Sequence, residues 1–239
     1  MSHGLVGIDL VIFDKDGTLI EFDAMWAGWS VTLAADLERS AGIRIRDALF
    51  AMLGFDATSG RVLPGARLAA TPMARLRDRT RDVLLEAGLS RSRAEAVLHD
   101  AWHAPDPVAL AHPLVDLVGL LTRLHGQGKR IALATSDDRE PTERTIEALG
   151  LTGLVDALAC ADDGVPVKPA PDMVVGLCSR LGITPARTAV VGDSVADLEM
   201  GRRAGAGLVV GVLSGVGEAA DLLPLADRLI ASVADLAPA

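Results

Sequence analysis

Asp14 and Asp16 stand two residues apart in Asp14-Lys15-Asp16-Gly17-Thr18, directly after the apolar run Leu10-Val11-Ile12-Phe13. A third carboxylate, Asp193, follows a second apolar run, Thr188-Ala189-Val190-Val191, and Asp197 lies four residues further on. Carboxylates gathered in one place repel one another and hold raised pKa values unless a cation neutralises them. A hard divalent ion with oxygen ligands meets that need, and Mg²⁺ suits a site that must also accept phosphate oxygens and water. A plainer reading of each piece stays open. Asp-x-Asp-Gly is also turn chemistry, and acids at the start of a helix also serve as caps.

Positioning these residues requires strands that end together. Arg130-Ile131-Ala132-Leu133-Ala134 runs into Thr135-Ser136, much as the two runs above end in polar residues. Leu208-Val209-Val210 reads as a further strand, and Ala157 to Ala159 as a weaker one. Helical stretches lie between them at Leu114 to His125, Glu140 to Leu149, Pro171 to Leu181 and Ala196 to Ala204. Gly126, Gly150, Gly182 and Gly205 follow them where C-caps are expected. Alternating strands and helices predict an α/β fold with an open parallel sheet, whose ligands bind beyond the carboxyl ends of the strands. More than 100 residues separate the first two strong strands, too many for one crossover, and that stretch reads as mostly helical. A helical insertion over residues 23–105 is therefore expected inside a core made of 1–22 and 106–239. The prolines of Ala104-Pro105-Asp106-Pro107 mark the return hinge.

Composition removes several classes of function. The 239 residues are 50% hydrophobic and 23% charged, enough to bury a core and too apolar for general disorder. A formal net charge of −9 argues against nucleic acid and anionic membranes as partners. No apolar run reaches the roughly 18 residues of a membrane helix, and Leu5 to Phe13, interrupted by Asp9, reads as a strand and not a signal peptide. Cys160 and Cys178 alone make no disulfide framework, which fits a reducing, cytoplasmic setting. The lysines are at positions 15, 129 and 168 among a large excess of arginine. At Val167-Lys168-Pro169 a compact ammonium beside carboxylate and phosphoryl oxygens would account for that choice, and a surface loop lysine is the plainer account.

Val11 to Leu19, Ile131 to Ser136, Lys168-Pro169 and Val191 to Asp197 come in an order and spacing that resembles the haloacid dehalogenase superfamily. The likeness is to its phosphatases with a helical cap after the first strand, above all phosphoglycolate phosphatases. It implies a Rossmann-like core. By this resemblance Asp14 is the nucleophile that becomes an aspartyl-phosphate, and Asp16 the acid and base. Thr135 and Lys168 hold the phosphoryl group, with Gly17 and Ser136 as further phosphate contacts. Mg²⁺ binds Asp14, the backbone carbonyl of Asp16, and Asp193, with Asp197 as an outer or alternate ligand. The expected substrate is a small phosphomonoester, phosphoglycolate-like or a sugar phosphate. Asp16 sets the chain apart from dehalogenases, which expel halide without a proton, and from phosphonate-cleaving relatives, which recruit a cap lysine that residues 23–105 lack. A phosphosugar mutase and a noncatalytic relative that keeps the fold are the alternatives. No nucleotide cofactor is implied, since Gly215-Val216-Gly217 lacks the context of a dinucleotide fingerprint.

The resemblance implies an insertion that closes over the site and selects the leaving group. Phe22, Asp23, Trp26 and Trp29 would border the entrance, and Gly54 to Arg61 would form a substrate-facing loop. Packing within the insertion is the expected role of the two tryptophans. A solvated face is expected for Arg75, Arg77, Arg79 and Arg81, which form two i, i+4 pairs. His99, His103, His112 and His125 show no ligand spacing. Cys178 reads as core, and Cys160 as packing near a strand end.

Overall fold

Every residue of Leu10-Val11-Ile12-Phe13 is buried, as a strand covered on both faces of a parallel sheet requires. The computed structural model describes residues 5–69 and 71–236. In chain order the elements are β1 (Leu10–Phe13), α1 (Phe22–Ala41), α2 (Arg46–Leu53), β2 (Phe55–Asp56), β3 (Arg61–Val62), α3 (Met73–Glu86), α4 (Arg91–Ala101) and α5 (Leu117–Gly126). Then follow β4 (Arg130–Ala134), α6 (Arg139–Ala148), β5 (Ala157–Ala159), α7 (Asp172–Leu181), β6 (Thr188–Gly192), α8 (Val195–Ala204), β7 (Leu208–Val212), α9 (Ala219–Leu222) and β8 (Arg228–Ile230). The chain divides into two units, one made of the residues up to Phe22 with those from Pro107 onward, the other of Asp23–Asp106.

The first unit is an α/β core with a six-stranded parallel sheet in the order β5-β4-β1-β6-β7-β8. From β1 the chain fills one side through β4 and β5, then returns beside β1 and fills the other through β6, β7 and β8. The order reverses between β1 and β6, and in such sheets the crevice at that reversal is the ligand site. Phe13 pairs with Leu133 on one side and Val191 on the other, so the polar residues after β1, β4 and β6 emerge at one edge. Leu10, Ile12, Ala132, Ala134 and Val190 form a core with Met173, Val174 and Leu177 of α7 and Met200 of α8. The small residues in β4 and β5 let α7 lie close to the sheet.

Helix ends follow their chemistry, with departures from expectation at α5 and at α6, whose cap is Leu149 with the left-handed Gly150, φ 69°, one residue beyond. α5 starts at Leu117 and not Leu114, because the Asp116 side chain accepts from the Gly119 N–H at 2.9 Å and caps it there. Gly126 is the last residue of α5 and not its cap; the left-handed position falls at Gly128, φ 76°. Gly182 and Gly205 take left-handed caps as the sequence suggests. β8, a three-residue edge strand of half-buried residues, is beyond the expected set.

The second unit contains α1 to α4, apart from Phe22, together with the hairpin of β2 and β3. Trp26 and Trp29 are buried and meet edge to face at 5.6 Å, and Trp29 meets Trp102 at 5.7 Å. The Trp29 Nε1–H donates to the His103 carbonyl at 2.8 Å, so these rings are packing elements of this unit. Gly54 to Arg61 is a hairpin turn in which Asp56 accepts from the N–H groups of Thr58 and Ser59. Of the four α3 arginines, Arg75 and Arg79 are exposed, whereas Arg77 and Arg81 each reach Glu95 of α4 at 3.2 Å and tie the two helices together.

Candidate active site

Asp14 leaves the end of β1 with its N–H bonded to the Val191 carbonyl at 2.9 Å, which sets it beside the end of β6. The Lys168 ammonium lies 2.5 Å from Asp14 Oδ1 and 2.5 Å from Asp197 Oδ1. Lys168 is buried, although the segment carrying it is a loop between β5 and α7. One oxygen from each of Asp14, Asp193 and Asp197 lies within 4.8 Å of the others. Segments 14, 168, 193 and 197 therefore converge.

Asp193 is fixed from three sides. Its Oδ1 accepts from the Thr18 hydroxyl at 3.1 Å, and its Oδ2 from the Val216 N–H at 2.8 Å. Gly17, at φ 85°, passes so close that an added Cβ would lie 2.5 Å from Asp193 Oδ2. Its glycine is explained by that approach together with its left-handed backbone. Gly215 is equally confined, since a Cβ there would run into the same carboxylate. The Ser214 hydroxyl donates to the Gly17 carbonyl at 2.8 Å and locks the loop after β7 onto the loop after β1.

Asp197 occupies a double role. Its Oδ2 accepts from the Ser194 N–H at 3.1 Å and hydroxyl at 2.5 Å, while its own N–H donates to the Ser194 hydroxyl, a capping box that starts α8. Its other oxygen holds Lys168. Cap and site residue are thus the same side chain.

Asp16 points elsewhere. Its Oδ1 and Oδ2 lie 2.8 and 2.7 Å from the Lys15 ammonium, which also contacts Asp137 Oδ2 at 2.9 Å. The Asp16 side chain is thus outside the three-carboxylate group. Thr135 is buried at the end of β4, where its hydroxyl accepts from the Asp137 N–H at 3.1 Å, and Ser136 beside it is half-buried. Lys15, Asp137, Thr18, Ser214, Gly215 and Val216 are members of this cluster that sequence reasoning did not single out. The signal for Asp137 was its place just past a strand end; for the 214–216 loop it was the end of β7, which shares that edge.

Burial governs the electrostatics. It raises the Asp14 carboxyl from an ordinary 3.8 to about 6, more than Lys168 can pull it down, and the Asp197 charge adds to the rise. Asp16 is raised to about 7, first by burial, against Lys15 and with Asp137 and Asp14 adding repulsion. Asp193 is raised by burial, then by Asp14 and Asp197. The Lys168 ammonium is held charged well above its ordinary range by Asp14 and Asp197, which outweigh its desolvation. Three carboxylates, buried at Asp193 and Asp197 and part-buried at Asp14, with oxygen-only donors and excess negative charge fit a hard divalent cation. Elsewhere, burial pushes the Cys160 thiol up to about 11, which makes it an unreactive packing group. Among the described residues no helix is long and apolar enough to cross a membrane.

A family model described as haloacid dehalogenase-like hydrolase matches residues 8–205. The probable phosphatase IndB of Dickeya dadantii is 33% identical over 212 residues, spanning 87% of this chain and 82% of that protein. A phosphoglycolate phosphatase of Rhodospirillum rubrum is 30% identical over 205 residues, 84% of this chain and 78% of that one. The crystal structure of a phosphatase of the same superfamily from Thermococcus onnurineus superposes with a TM-score of 0.68 at 20% identity over 96% of each chain, a likeness of fold. The chain belongs to the haloacid dehalogenase-like hydrolases, and within them it is an enzyme of the phosphatase type similar to phosphoglycolate phosphatases.

Proposed function

We propose that this protein is a Mg²⁺-dependent phosphatase that hydrolyses a small organic phosphomonoester through a phosphorylated Asp14. The observation that carries this reading is the buried contact of Lys168 with both Asp14 and Asp197, at 2.5 Å each, beside the Asp193 carboxylate. An ammonium in that position restrains a carboxylate nucleophile and offers charge to the oxygens of an incoming phosphoryl group.

In the first half-reaction an Asp14 oxygen attacks phosphorus and the bond from phosphorus to the ester oxygen breaks. That oxygen takes the bond's electron pair and a proton from Asp16, and leaves as an alcohol. In the second, water attacks phosphorus, gives a proton to Asp16, and the phosphorus–Asp14 bond breaks to release inorganic phosphate. An acid that must give and take a proton in turn works best near neutral pH, where the burial-raised Asp16, at about 7, has both forms available. Thr135 and Ser136 would bind the phosphoryl oxygens. Asp14, Asp193 and the backbone carbonyl of Asp16 would hold the divalent ion, which supplies positive charge to offset repulsion between phosphate and carboxylate. Asp197, with one oxygen on Lys168 and the other on Ser194, serves as the anchor of Lys168. The unit Asp23–Asp106 is assigned the role of substrate-selecting cap.

The substrate class is a small anionic phosphate ester, supported by the names of the relatives, phosphoglycolate phosphatase among them. A phosphosugar mutase would instead return the phosphoryl group to a bound sugar, and no residue of the cluster favours that. The test is phosphate release from a panel of metabolite phosphates with Mg²⁺ or EDTA, for wild type and Asp14→Asn. Mg²⁺-dependent release that the substitution abolishes supports the assignment. Full release in EDTA, or near-normal release by the variant, overturns it.

A further inference from the structure

We propose that Lys15 is a positioning residue for the acid Asp16, and that Asp137 is the anchor that holds Lys15 in place. The inference rests on the phosphatase reading above. An ammonium has three N–H donors. Here it faces three carboxylate oxygens: both oxygens of Asp16, at 2.8 and 2.7 Å, and Asp137 Oδ2 at 2.9 Å. The Lys15 side chain is only 3% exposed, so these contacts are made away from bulk water, where a charge needs a full set of partners. Lys15 stands just past the end of β1, in the turn that carries Asp14 and Asp16. A buried lysine costs desolvation, offset here by contacts to three carboxylate oxygens.

Asp137 connects the clamp to the rest of the site. Its N–H donates to the Thr135 hydroxyl at 3.1 Å, and its carbonyl accepts from the Ala161 N–H at 2.9 Å, which fixes it between the ends of β4 and β5. Lys15 therefore ties the acid on the β1 loop to the loop that carries Thr135. Proton transfer to a leaving oxygen is sensitive to displacement of the donor by an ångström or less. Freed from Lys15, the Asp16 carboxyl would lose the contacts that hold both of its oxygens and would sample other rotamers. The residue acts through Asp16, by holding its carboxyl in place.

The readout is leaving-group dependence, which a general loss of structure would not produce. A nitrophenolate departs without a proton, whereas an alkoxide needs one. We would measure kcat/KM for p-nitrophenyl phosphate and for a primary alkyl phosphate, 2-phosphoglycolate or, if wild type prefers it, glycerol 3-phosphate. The variants are Lys15→Met, Asp137→Asn, Asp16→Ala and the double variant Lys15→Met with Asp16→Ala. Because kcat/KM reports the steps up to alcohol release, the alkyl-to-aryl ratio isolates proton donation. The ratio is expected to fall about thirtyfold or more in Lys15→Met, part of the hundredfold or larger contribution of a positioned acid. It should fall severalfold in Asp137→Asn, and the double variant should be no worse than Asp16→Ala alone. Equal losses on both esters in Lys15→Met and Asp137→Asn, or additive losses in the double variant, would overturn the proposal. If Lys15→Met does not fold, Asp137→Asn decides by the same ratio. A wild type that releases phosphate from no ester of the metabolite panel overturns the proposed function itself, a result distinct from an unchanged ratio in an active enzyme.

Discussion

Replacing Asp14 by asparagine should make the metal-free protein more stable while it destroys turnover. Burial holds the Asp14 carboxyl at about 6 against an ordinary 3.8, even with Lys168 pulling it down. At roughly 1.36 kcal/mol per pH unit the gap corresponds to about 3 kcal/mol of folding energy spent on keeping the group ionised. The sign follows from proton binding. Between pH 4 and 6 the folded protein holds the Asp14 proton more tightly than the unfolded chain does, so stability falls as pH rises through that window and the whole cost is present above it. In EDTA, urea denaturation at pH 8 should find Asp14→Asn more stable than wild type by up to about 3 kcal/mol, with the difference vanishing towards pH 4. Adding Mg²⁺ at pH 8 should narrow or reverse the difference, because an ion that binds the folded wild type more tightly stabilises it by mass action. A variant less stable than wild type at pH 8 in EDTA would refute the reasoning, and so would a difference that does not change with pH.

Lys168→Met removes the cation shared by Asp14 and Asp197, and breaking a buried pair in this way should cost about 3–5 kcal/mol near neutral pH along with turnover; a denaturation midpoint within error of wild type would contradict the pairing. Gly17→Ala forces a side chain onto a backbone at φ 85° and into Asp193, so it should lose about 1–2 kcal/mol from the backbone alone and raise the Mg²⁺ concentration needed for activity. Unchanged Mg²⁺ dependence would show that Asp193 is not held as described. Asp156 offers a control away from the cluster. Burial pushes its carboxyl up, but the Ile131 N–H at 2.7 Å, His125 at 3.2 Å and Arg130 at 2.8 Å pull it below the usual range. Asp156→Ala should cost about 1–3 kcal/mol at pH 7 by leaving the Ile131 N–H without its partner. A depressed carboxyl contributes its stability above the unfolded value of 3.8, so the part due to its charge should fade as pH falls through and below that value, with phosphatase activity at pH 7 retained. A penalty that grows on acidification would reverse that sign.

The sheet was legible because its strands are buried on both faces and so carry unbroken apolar runs. Leu10 to Phe13, Arg130 to Ala134 and Ala157 to Ala159 are strands over those residues. Where one face is less covered the signal fails: Arg228-Leu229-Ile230, at the sheet edge, is half-buried throughout and reads like the loops around it. Convergence of Asp14 and Asp193 could be inferred, since strand ends on one edge of a parallel sheet must meet, with Asp197 on the helix that follows; Lys168, in the loop between β5 and α7, was expected there by the resemblance alone. Side-chain direction could not. Asp16 sits two residues from Asp14 and so shares its side of an extended chain, yet it reaches Lys15 because the chain turns at once, with the Leu19 N–H bonded to the Lys15 carbonyl at 2.9 Å. The Arg77 and Arg81 contacts to Glu95 were hidden for a related reason, since they depend on where α4 lies against α3.

Charge explains why two of the three lysines went to this cluster in a chain that mostly uses arginine. Asp14, Asp193 and Asp197 form one group at the end of the sheet and Asp16 and Asp137 a second, and each of Lys15 and Lys168 lies between two of these carboxylates. A guanidinium is planar and broad, and its donors diverge; an ammonium is a point charge that fits between carboxylates on different loops. With five acids against two lysines the cluster stays negative by three when all are ionised. One divalent cation leaves a deficit of one, and a phosphoryl group entering such a site meets far less repulsion than the acids alone would impose. Lysine pairing thus sets the shape of the cluster and leaves its remaining charge for the ion. Neither lysine is interchangeable with arginine on this view: Lys168→Arg should lose most activity despite keeping the charge, and an active, Mg²⁺-dependent Lys168→Arg enzyme would show that net charge alone, without compact geometry, suffices.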